Sequence, residues 1–324
     1  MLANIAWFLS GLTALIVGAE VMVKGGSRLA ARLGISPIVV GLTVVSIGTS
    51  MPELAVGVVA AGQGSGALAV GNIAGTNVVN LLLILGLSAV MAPLVLQLRT
   101  IRFELPMMAA AALLLWALAA DGVMSRVDGA ILLTGAVAYT AAVILSARRE
   151  SREVFDEFSD EYGHVATVAV RNQTLRELMM LVGGVALVVA GADWLVDGAV
   201  GMAREFGVSD ALIGLTVVAI GTSAPELATT VVSTLRGDRD IAIGNLLGSS
   251  IYNIALILGV TCLVPAHGLL LPSSLVRIDI PIMVIVALAC IPIFITGRRV
   301  SRGEGIAMVT AYGAYLVFLL ATQT

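Results

Sequence analysis

The stretch Gly48–Glu53, which reads GTSMPE, places a carboxylate, two hydroxyls, a glycine and a proline inside a long apolar run. A charged side chain at the centre of a membrane helix costs about 2.5–3.5 kcal/mol on insertion scales, so such residues are retained where they have a function. The hexapeptide returns with one change as GTSAPE at Gly221–Glu226, an offset of 173 residues. The duplication predicts a site built from two related halves.

The composition around these hexapeptides is that of a membrane protein. Of the 324 residues 59% are hydrophobic and 12% are charged, and the mean hydropathy is +1.03. A soluble domain carries about 25% charged residues, so this chain has too few to cover a soluble surface. The net charge of −3 gives no information about a nucleic-acid partner, and no basic patch suggests one. The lipid bilayer is the expected surroundings.

Apolar segments long enough to cross a bilayer, which takes about 20 residues, recur along the whole chain. The first, Ile5–Val23, is followed rather than preceded by basic residues, which favours a spanning helix over a signal peptide. We predict an all-α integral membrane protein with ten transmembrane helices. They are Ile5–Val23, Pro37–Ala60, Leu68–Met91, Phe103–Ala120, Val127–Ala147, Leu175–Leu195, Ala211–Leu235, Ile241–Val264, Val276–Ile295 and Gly305–Ala321.

The positive charges between these segments predict an orientation. Fifteen Lys and Arg residues follow segments one, three, five, seven and nine, whereas the opposite side holds only Arg126, Arg204 and Arg277. Because the cytoplasmic side carries the excess of Lys and Arg, both termini are expected outside the cell (inner) membrane. The polar stretch 148–173 is then a cytoplasmic loop. We interpret it as a solvated linker, with a regulatory cation sensor as the alternative, since its acidic residues do not have EF-hand spacing.

The two halves of the chain are repeats of each other. Gly41–Ala60 and Gly214–Ser233 are identical at 15 of 20 positions, and matched Gly and Asn residues follow at the same offset. Each repeat holds five segments, and an odd number inserts the second copy upside down. We therefore predict a first repeat at 1–147, the linker at 148–173 and a second, inverted repeat at 174–324, as in many transporters.

Each repeat carries two stripes of oxygen-bearing side chains at helical spacing. The stripes comprise Ser46, Thr49, Ser50 and Glu53, then Asn72, Thr76 and Asn80; in the second copy they comprise Thr222, Ser223 and Glu226, then Asn245, Ser249 and Asn253, with Ala219 in place of Ser46. An all-oxygen set with two carboxylates suits Ca²⁺, and its hydroxyls and amides also suit Na⁺. Zn²⁺ would favour nitrogen or sulfur ligands. No cofactor is expected.

The glycine and proline of each hexapeptide predict a break in the helix at the site. Pro52 lacks an N–H and its ring clashes with the carbonyl of Gly48, and Pro225 and Gly221 repeat the arrangement. Carbonyl groups near Ile47–Thr49 should leave helical bonding, which is tolerated at membrane depth where the backbone is buried or lines a cavity.

At these residues the chain resembles the sodium/calcium exchangers of the cation/calcium antiporter superfamily. The matching motifs are GTSMPE and GTSAPE, with GNIAGTNVVN at Gly71–Asn80 and GNLLGSSIYN at Gly244–Asn253. The resemblance implies that Glu53 and Glu226 are the central Ca²⁺ ligands. It further implies Ca²⁺-binding carbonyls at Thr49 and Thr222, Na⁺ ligands at Ser50, Thr76, Ser249 and Ser223 and at the carbonyls of Ser46 and Ala219, and Asn80 and Asn253 at the centre. Asn253 stands where potassium-dependent relatives carry Asp, which argues against obligatory K⁺ co-transport.

The function that follows is antiport of Na⁺ against Ca²⁺ by alternating access, in a chain expected to act as a monomer. A Ca²⁺/H⁺ antiporter is the alternative within the superfamily, and a passive cation channel is the alternative of another class. An enzyme is disfavoured because the sequence has no HExxH motif and no nucleophile–histidine pair.

Overall fold

The structure is a computed structural model that describes residues 1–98, 100–162, 170–206 and 219–323, without the side chains of 148–172, 219, 320, 322 and 323. Helices dominate it. They are α1 Leu2–Leu33, α2 Pro37–Val40, α3 Ser46–Thr49, α4 Met51–Gly62, α5 Gly66–Val78, α6 Leu85–Met91, α7 Leu105–Leu118, α8 Arg126–Tyr162, α9 Val170–Glu205, α10 Ala219–Thr222, α11 Ala224–Arg236, α12 Arg239–Tyr252, α13 Gly259–Leu263, α14 Ile280–Ile295 and α15 Arg302–Gln323.

Five wider π-helical turns join or precede these helices among the described residues. They are Gly41–Val45, Val79–Ile84, Thr100–Glu104, Asn253–Leu258 and Leu275–Asp279. Such turns are rare and are frequent at functional sites. Here two of them carry the predicted site asparagines, Asn80 and Asn253.

Seven helices in the described part of the chain are long and apolar enough to span a membrane. An eighth span is the pair Pro37–Thr49 and Met51–Gly62, which is bent by 41°. These spans correspond to eight of the ten predicted segments. The tenth segment is covered by the 22-residue helix α15, and the seventh, Ala211–Leu235, begins outside the described residues. The chain is therefore a multi-span helical membrane protein, whereas the count of ten and the inversion stay predictions.

Two features differ from the expectations. Lys24, Arg28 and Arg32 lie on a continuation of α1 rather than in a turn, and α8 and α9 extend into the predicted linker as far as Tyr162 and from Val170. The reason is that the polar residues there include many strong helix formers, such as Arg and Glu. Residues 163–169 of the linker and Arg99 lie outside the described residues.

The described part of the chain also contains four two-residue strands, which the all-α prediction did not include. Leu94–Val95 (β1) pairs with Arg299–Val300 (β4), and Val123–Met124 (β2) pairs with Leu269–Leu270 (β3), both antiparallel. They lie in the connections between spans, where pairing satisfies backbone groups that leave the helices. Their effect is to tie together connections that are far apart in the sequence.

Helices α1 and α9 pack against each other in opposite directions through glycines. A Cβ atom added to Gly18 would lie 2.8 Å from the backbone nitrogen of Val188, and one added to Gly25 would lie 2.7 Å from that of Leu181. From the side of α9, a Cβ atom added to Gly191 would lie 2.7 Å from the backbone nitrogen of Leu15 in α1. Contacts that advance along α1 thus move backward along α9, so these equivalent helices of the two repeats run antiparallel.

Candidate cation site

The helix break predicted at the hexapeptides is present in both copies. Ser50, with φ −84° and ψ 9°, separates α3 from α4, and Ser223, with φ −88° and ψ 5°, separates α10 from α11. The prolines sit in the first turns of α4 and α11, where a missing N–H costs nothing. Glu53 and Glu226 also lie in these first turns, where the helix N-terminus favours negative charge.

The two carboxylates are fully buried and near each other. Glu53 and Glu226 have 0% side-chain exposure and are close enough to repel one another electrostatically. Ser50 donates a hydrogen bond of 3.4 Å to Oε1 of Glu226, which joins the first hexapeptide to the second. Both carboxylate oxygens of Glu53, and Oε2 of Glu226, have no hydrogen-bond partner within the described part of the chain. Burying such groups without a partner is expensive, and a bound cation would offset that cost.

Thr49 connects the first repeat to the asparagine–serine stripe of the second. Its hydroxyl donates a 3.1 Å hydrogen bond to Oδ1 of Asn245 and lies 3.4 Å from the hydroxyl of Ser249. The Thr49 and Ser249 hydroxyls also face the Glu226 carboxylate. Sequence reasoning placed Asn245 on a stripe but left it out of the ligand set. The indication in the sequence is that Asn245 recurs as Asn72 in the GN motif of the first repeat.

Ser46, three residues before Thr49, also contacts Asn245. It is fully buried, and its hydroxyl donates to the carbonyl of Gly41 at 2.5 Å and lies 3.1 Å from the carbonyl of Asn245. The Ser46 carbonyl oxygen in turn lies 3.3 Å from the Thr49 hydroxyl. Its equivalent Ala219 is the first residue of α10, and the side chain of Ala219 is outside the described set.

Asn80 and Asn253 occupy equivalent places at the π-helical turns. Both side chains have 0% exposure, and neither the oxygen nor the nitrogen of either amide has a hydrogen-bond partner among the described residues. The hydroxyl of Ser223 is in the same situation. Buried polar atoms normally find partners, so these oxygens are suited to contact an ion.

Thr76 and Thr222 line a cavity of about 440 Å³, together with Asn72, Asp279, Tyr312 and Tyr315. The structure thus brings Thr49, Ser50, Glu226 and Ser249 into direct contact. It places Thr76 and Thr222 on a shared cavity. In the described regions no group of three or more His, Cys, Asp or Glu side chains converges on one point, so any cation held here meets mainly neutral oxygens around two carboxylates.

Known proteins resemble this chain over nearly its whole length. The putative antiporter CaxA of Alkalimonas amylolytica is 37% identical over 99% of this chain and 100% of its own. The sodium/calcium exchanger MaX1 of Methanosarcina acetivorans is 30% identical over 98% of each chain. Among solved structures, the sodium-calcium exchanger NCX_Mj soaked with 10 mM Na⁺ and zero Ca²⁺ superposes with a TM-score of 0.83, at 26% identity, over 100% of this chain and 99% of that one.

A family model matches twice, once in each half. The model described as sodium/calcium exchanger protein covers residues 3–145 and 177–321. Both stretches contain one hexapeptide and its companion asparagine motif. The chain belongs to the sodium/calcium exchanger protein family.

Proposed function

We propose that this protein is a secondary active antiporter that exchanges Na⁺ for Ca²⁺ across the cell membrane, with Glu53 and Glu226 as the central Ca²⁺ ligands. The observation that carries the proposal is the convergence of these two buried carboxylates, one from each repeat, with three oxygens lacking a hydrogen-bond partner in the described chain. Their formal charge of −2 balances one Ca²⁺. Relatives named as an antiporter and as a sodium/calcium exchanger support the same activity.

The neutral oxygens around the carboxylates provide the remaining ligands. Thr49 and Thr222 contribute backbone carbonyls to Ca²⁺, which prefers six to eight oxygen ligands. Na⁺ binds at flanking positions, and Asn80 and Asn253 line the centre. The Na⁺ ligands are Ser50, Thr76, Ser223, Ser249 and the carbonyls of Ser46 and Ala219.

Coupling follows from the cost of an uncompensated charge. Two carboxylates without a cation near the bilayer centre are unfavourable, so the unloaded protein resists changing the side from which its site is reached. Binding of Ca²⁺ or of Na⁺ removes that cost and permits the change. Alternating access between the two inverted repeats then exchanges the ions. In this arrangement both termini lie outside the cell membrane and the 148–173 loop is cytoplasmic. A single chain is sufficient for transport.

The test is uptake of radiolabelled Ca²⁺ into proteoliposomes loaded with Na⁺. We expect uptake that depends on the outward Na⁺ gradient, and we expect Glu53→Gln and Glu226→Gln to abolish it while the protein stays folded. Asp121→Asn is the matched control, because Asp121 is exposed on a turn and, within the described part of the chain, accepts a hydrogen bond only from the nearby Val123 N–H. Substantial uptake by both glutamine variants would falsify the two-carboxylate site.

The same assay separates the alternatives. Uptake driven by a pH gradient in the absence of Na⁺ would identify a Ca²⁺/H⁺ antiporter. Ca²⁺ flux that ignores the Na⁺ gradient and is equal in both directions would identify a channel.

A further inference from the structure

Each repeat carries an acidic residue near the start of its fourth span, outside the candidate cation site. Glu104 ends the π-helical turn Thr100–Glu104, and Asp279 ends the turn Leu275–Asp279. Their surroundings match in sequence, since RFELP at 102–106 corresponds to RIDIP at 277–281. These acids are therefore equivalent positions of the two halves.

A tyrosine accompanies each acid in the same way. Tyr139 and Tyr315 both lie fourteen residues beyond a serine that caps the start of its helix, Ser125 and Ser301 respectively. Tyr139 donates a 2.6 Å hydrogen bond to Oε2 of Glu104. Tyr315 and Asp279 line the same cavity. The duplicated unit is thus an acid and a tyrosine on neighbouring spans.

The two units differ in their access to water. Glu104 is only 1% exposed, as is Tyr139, which covers it. Asp279 is partly exposed and lines the cavity of about 440 Å³ that also contains Thr76 and Thr222. Asp279 makes no hydrogen bond or ion pair with the residues that the structure describes. An ionisable residue in a membrane span that faces a cavity marks an ion pathway.

Equivalent polar residues of the two repeats also differ in their surroundings. Thr49, Asn245 and Ser249 have 0% exposure and are joined by contacts of 3.1 and 3.4 Å. Their equivalents Thr222 and Thr76 are also buried, with 9% and 3% exposure, but together with Asn72 they line the cavity. The cavity therefore joins Asp279 to one set of polar residues, whereas Glu104 is covered by Tyr139.

We propose that Asp279 is a further cation-contacting residue, which attracts Na⁺ and Ca²⁺ into the cavity before they reach the central site. Glu104 has the same role on the opposite face of the membrane. When the protein changes conformation, Glu104 separates from Tyr139 and becomes exposed to its own cavity, while Asp279 becomes covered by Tyr315. This inference rests on the proposed exchange function, and it adds an outer contact to each access route.

The first test measures Na⁺-dependent Ca²⁺ uptake against the Ca²⁺ concentration on each face of oriented vesicles. Charged clefts raise local cation concentration and association rates by about 10-fold or more. We expect Asp279→Asn to raise the half-maximal Ca²⁺ concentration on the Asp279 face by about 10-fold, and Asp279→Glu to restore it. Glu104→Gln should raise the half-maximal Ca²⁺ concentration only on the other face. Asp121→Asn should change it on neither face.

The second test compares Asp279→Cys and Glu104→Cys with a membrane-impermeant thiol reagent. The chain's own Cys262 and Cys290 are buried, so the parent protein should stay unlabelled. We expect the two variants to be labelled from opposite faces, with conditions that increase labelling at one position decreasing it at the other. Unchanged half-maximal concentrations, or labelling of both positions from one face, would overturn this inference in a parent that still exchanges ions. A parent without Na⁺-dependent uptake would instead overturn the proposed function.

Discussion

The hydroxyl of Thr49 joins the two halves of the site through Asn245 and Ser249. Replacing Thr49 by Val keeps the shape of the side chain but removes the hydroxyl donor. Oδ1 of the fully buried Asn245 then loses its hydrogen bond from Thr49. Such losses cost about 1–3 kcal/mol. We expect Thr49→Val to lower both the thermal unfolding temperature and Ca²⁺ uptake.

Two variants control this prediction. Thr49→Ser keeps the hydroxyl and should behave nearly as the parent. Thr43→Val removes a hydroxyl that, among the described residues, bonds only the Val39 carbonyl four residues earlier, and it should leave uptake unchanged. If Thr43→Val reduced uptake as much as Thr49→Val, the contact between the repeats would have no special importance.

The helical spacing of Thr49 and Glu53 and the break beside Pro52 could be read from local sequence rules. The partner of Thr49 could not, because the choice of Asn245 among several equivalent amides depends on how the two halves pack. The difference in exposure between Glu104 and Asp279 is likewise invisible in a symmetric sequence, since it belongs to one conformation of the whole protein.

At the level of helices, the antiparallel pair α1 and α9 depends on glycines that remove side chains from the contact. A Cβ on Gly184 would lie 2.5 Å from the backbone nitrogen of Met22. Overpacking of this kind costs about 1–3 kcal/mol, so we expect Gly184→Ala to lower the unfolding temperature in detergent. Gly183→Ala is the adjacent control, because a Cβ there meets no described atom within 4 Å.

The control variant should be neutral or slightly stabilising, since Ala is favoured over Gly in helices by up to about 1 kcal/mol. Equal unfolding temperatures for the two variants would show that α1 and α9 are not tightly packed. Hydropathy located both helices but not this contact. Its trace in the sequence is a run of glycines seven residues apart at Gly11, Gly18 and Gly25, repeated at Gly184, Gly191 and Gly198.

Across the whole molecule, the short strands bear on the orientation of the repeats. β1 and β3 follow the third segment of their respective repeats, and β2 and β4 follow the fourth. If both repeats crossed the membrane in the same direction, β1 would share a face with β3 and could not reach β4. The observed pairs join β1 to β4 and β2 to β3, which is the pattern that inverted repeats require.

This pattern predicts that equivalent loops of the two repeats lie on opposite faces of the membrane. Gln63 and Arg236 are equivalent by the 173-residue offset, and both are exposed. We expect Gln63→Cys to react with an impermeant thiol reagent on intact cells, and Arg236→Cys to react only after the membrane is permeabilised, because the face with most Lys and Arg is cytoplasmic. The parent chain, with both cysteines buried, sets the background. Labelling of both positions on intact cells would rule out the inversion and, with it, a site assembled from two oppositely directed glutamate helices.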